Sequence, residues 1–174
     1  MVKYAILDRE AYIMRKKCLA IAAFLSVIFA PVITAANVSF LVIETGLSSE
    51  AGANQHSVLW EDGLLDVFFE TGHIVSNAPV LRIEAKPDGD FPEEARGDLD
   101  EAIEGGADFF ILALLDYTAG TSMPQNIFLQ LYRIDPYKKI FEQQYTGKTF
   151  KSNKEEYDNL KAIVKGLVPH LNDQ

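Results

Sequence analysis

The clearest hydrophobic pattern along the chain is a nearly uninterrupted apolar run at residues 107–117. Successive side chains of a strand point to opposite faces, and both faces of this run are apolar. One face would carry Phe109, Ile111, Ala113 and Leu115, and the other Phe110, Leu112 and Leu114. A strand that is apolar on both sides is covered on both sides. The pattern therefore predicts a strand in the centre of a sheet.

Two further runs predict a hairpin beside this strand. The apolar face of residues 127–134 consists of Ile127, Leu129 and Leu131. Its opposite face is partly polar, because it carries Gln130. Residues 139–149 are more polar, which suits a strand at the edge of a sheet. Asp135 and Pro136 lie between the two runs and are typical of a turn, because proline presets a turn dihedral and aspartate bonds to its own backbone.

The carboxyl-terminal residues predict a closing amphipathic helix. Ser152 and Glu155 have the spacing of a capping box, in which each side chain bonds to a backbone N–H that the helix leaves free. Apolar residues then recur at helical spacing on one stripe, which consists of Tyr157, Leu160, Ile163, Val164, Leu167 and Leu171. Such a stripe packs one face of a helix against a core.

The first half of the chain alternates strand and helix patterns. Residues 38–44 and 80–85 predict strands, and residues 57–75 predict the first helix. A second helix is expected to begin at Pro92 and to end at the glycine pair 105–106, because proline suits a first turn and glycine the left-handed residue after the last turn. The apolar stripe of the first helix is Trp60, Leu64, Leu65, Val67, Phe68, Phe69 and Val75, and that of the second is Ala95, Leu99, Ala102 and Ile103.

The element order β-α-β-α-β-β-β-α predicts an α+β fold with a mixed five-stranded sheet and helices packed on it. Residues 37–174 are expected to form a single α+β domain. The loops at residues 45–55 and 118–125 are rich in small and polar residues. If the first and third strands are parallel neighbours, both loops lie at one end of the sheet and offer a surface to a partner. The predicted edge strand offers a second surface, by strand addition.

The amino terminus has the order of a secretory signal, with basic residues, an apolar run and then small residues. Met14 is followed by three basic residues, and residues 18–36 carry no charge. We predict that residues 1–36 are a signal peptide, that translation starts at Met14 and that signal peptidase cuts after Ala36. The apolar run is also long enough for a retained transmembrane anchor, which stays an alternative. Cys18 lies at the start of the run rather than at its end, so lipid attachment is not expected.

Removal of this signal would leave an acidic domain without cysteine. The whole chain has 16 basic and 25 acidic residues and a net charge of −9. Five of the basic and two of the acidic residues precede Asn37, so residues 37–174 have a net charge of −12. This charge argues against nucleic acid and anionic membranes as partners. An exported domain without disulfides depends on its apolar core, which a chain of this length can supply.

Two motifs carry a resemblance to known envelope proteins. The helix start Trp60-Glu-Asp-Gly-Leu64 and the strand start Gly105-Gly-Ala-Asp-Phe-Phe110 resemble, in order and spacing, the amino-terminal domain of TolB. The chain is also similar to LpoB-type activators of penicillin-binding proteins and to CsgG-type secretion lipoproteins. The resemblance covers nearly all of residues 38–171 and implies a periplasmic domain of a double-membraned bacterium. The chain lacks the lipobox of these lipoproteins and the β-propeller of TolB, so the fold is expected to carry over rather than one family's activity.

No residue pattern points to a catalytic, cofactor or metal site. His56 and His73 would lie near opposite ends of the first helix, about 25 Å apart at 1.5 Å rise per residue, and His170 lies in the tail. We expect scattered surface histidines rather than metal ligands or a general base. No serine lies in a nucleophile motif, and no glycine-rich phosphate loop precedes a helix. Trp60 is expected to be a core residue.

An acid-rich stretch, residues 84–104, is expected to be a solvated helix face. Asp90 could cap the second helix, since acids suit the positive end of the helix dipole. Asp88-Gly-Asp90 has only a faint likeness to a calcium loop, because it lacks the further spaced oxygen ligands and the closing glutamate.

Together these observations predict an exported, non-enzymatic protein of the cell envelope that acts as an interaction, accessory or regulatory module. Its expected partner is another envelope protein, and no cofactor is expected. The competing hypothesis is a periplasmic hydrolase or small-ligand-binding protein. A pocket with convergent polar groups of shifted pKa would favour that hypothesis, and a domain without a pocket but with an open sheet edge would favour an interaction module.

Overall fold

The computed structural model describes residues 35–47, 54–84, 91–117 and 121–171. In these ranges the chain forms a six-stranded mixed sheet with helices packed on both faces, which confirms the predicted α+β class. The elements in chain order are β1 (Asn37–Thr45), α1 (Gln55–Glu70), β2 (Ile74–Asn77), β3 (Leu81–Ile83), α2 (Arg96–Glu104), β4 (Phe109–Asp116), β5 (Asn126–Arg133), β6 (Lys138–Thr146) and α3 (Asn153–Lys165). Short 3-10 turns, Glu93–Ala95 and Val168–Leu171, precede α2 and follow α3.

The strand order is β2-β1-β4-β5-β6, and β3 pairs with β1 beyond the end of β2. β1 runs parallel to β2, β3 and β4, whereas β4, β5 and β6 form an antiparallel meander. Every residue of β4 before Asp116 is buried, so the prediction of a central strand is confirmed. The predicted edge position of β6 is also confirmed, because among the described strands β6 pairs with β5 alone.

The two faces of the sheet pack on separate helices. The face with Phe109 and Ile111 packs on α1 and α3, and the face with Phe110 and Leu112 packs on α2. This division follows from β4 being apolar at every position before Asp116, since each face of a central strand needs its own cover. α2 lies over the parallel part of the sheet, and the β5–β6 part of that face carries a polar group of side chains, which includes Gln130 and Glu142.

The first helix is shorter than predicted. α1 ends at Glu70, where the hydroxyl of Thr71 donates to the carbonyl of Val67 at 2.8 Å and Gly72 takes a φ of +85°. Val75 therefore belongs to β2 and not to the apolar stripe of the helix. β2 was not predicted, and it raises the number of strands in the sheet from the predicted five to six. Phe69 is 78% exposed, so its predicted place on the buried stripe was also wrong.

The second helix begins later than predicted. Pro92 precedes the 3-10 turn, and the α-helix starts only at Arg96, because Ala95 has non-helical dihedrals. Ile103 is 44% exposed and does not belong to the buried stripe. Gly106 has a φ of +75°, which confirms the predicted left-handed residue after the helix.

The closing helix follows its prediction. The Ser152 hydroxyl accepts a hydrogen bond from the Glu155 N–H at 3.2 Å, and the Glu155 carboxylate accepts from the Lys151 N–H at 3.0 Å. The second bond falls one residue before the cap rather than on the cap itself. The stripe is buried at Leu160, Val164, Leu167 and Leu171.

Several sequence predictions fall outside the described residues. These are the apolar run with Cys18, the start at Met14, the cap at Asp90 and the aspartate at position 88. Ala36 is described and buried; its N–H donates to Nδ1 of His73 at 3.2 Å, and its carbonyl accepts from the Ile74 N–H at 3.0 Å. Cleavage after Ala36 stays a prediction. Among the described residues, no helix has the length and apolar character needed to cross a bilayer.

Candidate functional site

The loops after β1 and β4 begin side by side at one end of the sheet. Thr45 and Asp116 are register partners, and their side chains are joined by a hydrogen bond of 3.3 Å. The far ends of the loops are also joined, because the side-chain amide of Asn54 donates to the carbonyl of Ser122 at 3.3 Å. Residues 48–53 and 118–120 lie outside the described ranges. The predicted convergence of the two loops therefore holds at the residues that flank them.

Gly46 permits the close approach of these loops. Its φ is +78°, and a Cβ atom at this position would lie 1.8 Å from the carbonyl oxygen of Tyr117. Only glycine adopts this backbone conformation readily and leaves that space free. In open α/β sheets, ligands bind at the carboxyl ends of the strands where neighbouring connections diverge. The chain thus has its loops at the part of the fold that commonly carries function.

A buried carboxylate organises the polar groups at this end. Glu44 is fully buried, and its Oε1 atom accepts from the Asn54 N–H at 2.6 Å. Its Oε2 atom forms an ion pair with the guanidinium of Arg82 in β3. Asn54 in turn caps α1, because its side chain accepts from the His56 N–H at 2.9 Å. Glu44 therefore fixes the start of α1 against the sheet.

Two further polar pairs lie beside it. Nδ1 of His56 lies 2.6 Å from the Glu156 carboxylate of α3, and the hydroxyls of Ser57 and Tyr117 are 3.1 Å apart. Burial raises the pKa of Tyr117 well above its usual range. Among the described residues, every buried side-chain nitrogen or oxygen has a hydrogen-bond partner. This network joins α1 to α3 and β4.

A groove opens next to the network, between α1, α3 and the carboxyl end of β6. It encloses about 460 Å³. Its walls are mainly apolar and are formed by Trp60, Met123, Pro124, Ile127, Tyr145, Phe150, Leu160 and Ile163. Glu156, Asn159 and Lys148 add polar groups to the lining. A concave, mainly apolar surface with few polar groups is typical of a binding site.

The rim of the groove is held by backbone contacts at Gly147. The Gly147 N–H donates to the carbonyl of Gln125 at 2.8 Å. A Cβ atom at Gly147 would lie 1.8 Å from the carbonyl oxygen of Pro124. The segment after β6 and the segment before β5 thus pack backbone against backbone, and a side chain at Gly147 would push them apart.

The same hydrogen bond determines which backbone groups of β6 face outwards. A bond from Gly147 to Gln125 places Asn126 and Thr146 in a non-hydrogen-bonded pair of the antiparallel ladder. Successive pairs alternate, so Gln143 and Tyr145 bond to β5, whereas the N–H and C=O groups of Gln144 and Thr146 point to the open edge. The described chain has no strand on that side of β6.

Gln144 and Thr146 also line the groove. The side chain of Gln144 points to the other face of the sheet, where it donates to Asn126 at 3.3 Å. It is therefore the main chain of β6 that borders the groove. An open strand edge and an apolar groove lie side by side, and together they form the candidate functional site.

The histidines do not form a site of their own. His73 is buried and bonds to Ala36, so its predicted surface position was wrong. His56 is partly buried against Glu156, and the His170 ring lies 5.0 Å from that of Phe141. In the described part of the chain, no three His, Cys, Asp or Glu side chains are grouped as metal ligands.

Sequence reasoning missed the two buried carboxylates. Glu156 precedes Leu160 by one helical turn and so lies on the buried stripe of α3, which was an available signal. Glu44 ends an apolar strand, and its partner Arg82 lies 38 residues further along the chain. The groove could not be predicted, because its walls come from two helices, two strands and two loops.

A family model with the description "Uncharacterised protein" matches residues 37–157. The chain belongs to this family. The family match therefore runs from β1 to the first turns of α3 and includes β6 and most of the groove. A comparison with curated proteins found no match.

Several solved structures are similar to this chain. The PelC dodecamer from Paraburkholderia phytofirmans is 12% identical with a TM-score of 0.48, over 76% of this chain and 87% of that one. TolB from Acinetobacter baumannii is 11% identical with a TM-score of 0.41, over 78% of this chain and 29% of that one. The hypothetical protein CT253 from Chlamydia trachomatis is 12% identical with a TM-score of 0.43, over 78% of this chain and 98% of that one.

TolB is thus among the structures similar to this chain, whereas the resemblance to LpoB-type and CsgG-type proteins stays a prediction. At such identities and TM-scores, the similarity assigns no activity to the chain.

Proposed function

We propose that this protein is a non-catalytic interaction module of the cell envelope, which holds an extended segment of a partner protein on the open edge of β6. The observation that supports this proposal is the position of that edge beside the groove. Gln144 and Thr146 offer backbone donors and acceptors, and the apolar walls of the groove lie next to them.

Strand addition would use both features at once. An extended peptide that pairs with β6 gains main-chain hydrogen bonds, and these are independent of its sequence. Its alternate side chains point to opposite faces. Those on the side of α3 would enter the groove against Trp60 and Leu160, which gives selectivity for apolar residues. Those on the other side would lie beside the polar row of Glu142 and Gln144.

A hydrolase is the second candidate, because Glu156 lines the groove and pairs with His56. The groove also meets the expectation of a pocket, whereas an interaction module was expected to have none. Two observations nevertheless favour the interaction module. The His56 ring is not part of the groove lining, and the Ser57 hydroxyl contacts Tyr117. Turnover of ester or peptide substrates by the purified domain, lost in His56→Ala, would support the hydrolase and contradict the module.

The proposed location rests on the sequence before Asn37. A basic start, an apolar run and small residues are typical of an exported protein. We therefore place the domain in the periplasm, with an envelope protein as its partner. Mass spectrometry of the exported protein tests this. A mature start at Asn37 supports it, and an intact start at Met14 contradicts the cleavage.

The function is tested by affinity purification from the native envelope with three forms of the protein. The Gln144→Pro variant removes an outward N–H without removing a β5–β6 bond, and Gln144→Ala is its control because it removes only the side chain. We expect the wild type and Gln144→Ala to retain the same partner and Gln144→Pro to lose it while its circular dichroism is unchanged. Equal recovery of the partner by all three forms would contradict strand addition to β6.

A further inference from the structure

Positive charge is concentrated in the part of the chain that forms the candidate site. Of the 11 basic residues that follow Ala36, eight lie in residues 133–165, together with five acidic residues. Residues 37–132 contain three basic and 17 acidic residues. The chain is therefore strongly acidic before β5 ends, whereas residues 133–165 have a net charge of +3. This excess lies outside α3, whose three basic and three acidic residues balance.

Lysines lie next to the groove itself. Lys148 is part of its lining, and Lys151 and Lys154 are exposed at the start of α3. Lys154 pairs with Asp158 at 2.9 Å, but both side chains are mainly exposed, so this pair is weak. In the described ranges, neither Lys148 nor Lys151 has a side-chain ion pair. The amino-terminal end of α3 also has a partial positive charge, which Glu155 and Glu156 in its first turn offset in part.

We propose that the segment held on β6 is acidic, with apolar side chains for the groove and carboxylates that pair with Lys148 and Lys151. This inference rests on the proposed function and specifies the chemistry of its partner. The apolar groove receives the anchoring side chains, and carboxylates in the flanks of the segment face the lysines. Complementary charge of this kind raises the association rate and selects among partners.

A membrane surface is the other anionic partner that a lysine cluster could contact. Residues 37–174 have a net charge of −12, which opposes adsorption to an anionic surface. The open edge of β6 also fits a polypeptide, because strand addition needs backbone donors and acceptors that lipids lack. The acidic peptide is therefore the favoured partner, and vesicles serve as a separate arm of the test.

The fluorescence of Trp60 reports on binding in the groove. Trp60 is the only tryptophan of the chain, it is buried and it lines the groove. Its fluorescence is measured as three blocked nonapeptides are added, each with leucine at alternate positions and glutamate, glutamine or lysine between them. We expect the glutamate peptide to bind about tenfold more tightly than the lysine peptide at low salt, and the difference to shrink toward none at about 1 M salt.

Reversal of the charge at Lys148 tests whether the preference for the glutamate peptide arises at the groove. In the Lys148→Glu variant, the glutamate peptide should bind about tenfold more weakly and the lysine peptide more tightly. Lys165→Glu changes the net charge equally, but Lys165 is exposed at the other end of α3, about 18 Å from its start. This control should change neither affinity by more than about twofold, because solvent and salt screen a distant charge.

The outcomes separate this inference from the proposed function. Equal binding of the three peptides, or tighter binding of the lysine peptide, overturns the acidic partner and leaves strand addition intact. Binding of none of the peptides overturns both. Binding of the protein to vesicles with anionic lipid, without any peptide binding, overturns the peptide in favour of a membrane surface.

Discussion

At one edge of the sheet, β1 is flanked by two short strands, β2 and β3, of four and three residues. The chain between them includes Pro79, which has no N–H to offer. At the other edge, β6 runs for nine residues without proline. Its register with β5 is irregular only near Tyr132, so the half that ends at Thr146 is regular.

This difference indicates which edge is available to a partner. Natural sheets blunt their edges with short strands, prolines, bulges and charged residues, because an open edge pairs with other chains. β2 and β3 follow that rule. In β6, the lysines and the irregular register protect the amino-terminal half, and the groove borders the unprotected half. We infer that the unprotected half is kept open for binding.

The largest expected effect comes from proline at neighbouring positions of β6. Gln143→Pro removes a donor that bonds to β5 and should lower the free energy of unfolding by about 2–3 kcal/mol. Gln144→Pro removes an outward donor and should cost less than about 1 kcal/mol. Urea unfolding measures both, with the alanine variants at each position as controls. Equal losses at both positions would contradict the assigned direction of the backbone groups.

A smaller loss is expected from an added methyl group at the rim of the groove. Gly147→Ala places a Cβ atom against the carbonyl of Pro124, so the two segments must separate, at a cost of about 1–3 kcal/mol. Peptide binding followed by Trp60 fluorescence should weaken as well. The control is Gly97→Ala in α2, where an added Cβ meets no atom within 4 Å. It should raise the free energy of unfolding by about 0.5–1 kcal/mol, since alanine favours the helix. Destabilisation by Gly97→Ala, or none by Gly147→Ala, would contradict this packing.

The smallest expected effect is a pH dependence of the free energy of unfolding. It comes from His73, which directly precedes β2 at the opposite edge of the sheet from β6. Burial lowers the pKa of the His73 imidazole below its ordinary 6.5. The unfolded chain therefore takes up a proton at a higher pH than the folded chain. The stability from this group is complete above about pH 7 and is lost as the pH falls through 6.5 toward the lowered pKa.

In a domain that retains Ala35 and Ala36, the His73→Asn variant keeps an acceptor for the Ala36 N–H and removes the titration. Urea midpoints measured at about pH 7.5 and about pH 5 should differ less in this variant than in the wild type. An unchanged difference would show that other groups cause the pH dependence.

Local patterns predicted much of the sheet. β4, the β5–β6 hairpin and the cap of α3 were predictable, because alternation, turn residues and capping spacing all act within a few positions. β2 was not predictable, since Ile74–Asn77 forms a strand only by pairing with β1. The extra turn assigned to α1 shows the same ambiguity, because Val75 fits the spacing of either element.

The candidate site was less predictable than the fold. The open edge followed from the polarity of β6, but the groove depends on how α1 and α3 approach each other. The two helices pack tightly at Gly63, where a Cβ atom would lie 1.9 Å from the Leu160 side chain. The His56–Glu156 pair joins residues 100 positions apart. No periodicity within one element carries such information.

Residue-resolved amide hydrogen exchange, with the domain alone and with the glutamate peptide, shows whether β6 is the edge to which a partner binds. We expect the Gln144 and Thr146 amides to exchange rapidly in the free domain and to become protected in the complex, while those of Ser76 and Asn77 in β2 do not change. Protection in β2, or unprotected Gln144 and Thr146 amides with the peptide bound, would contradict it.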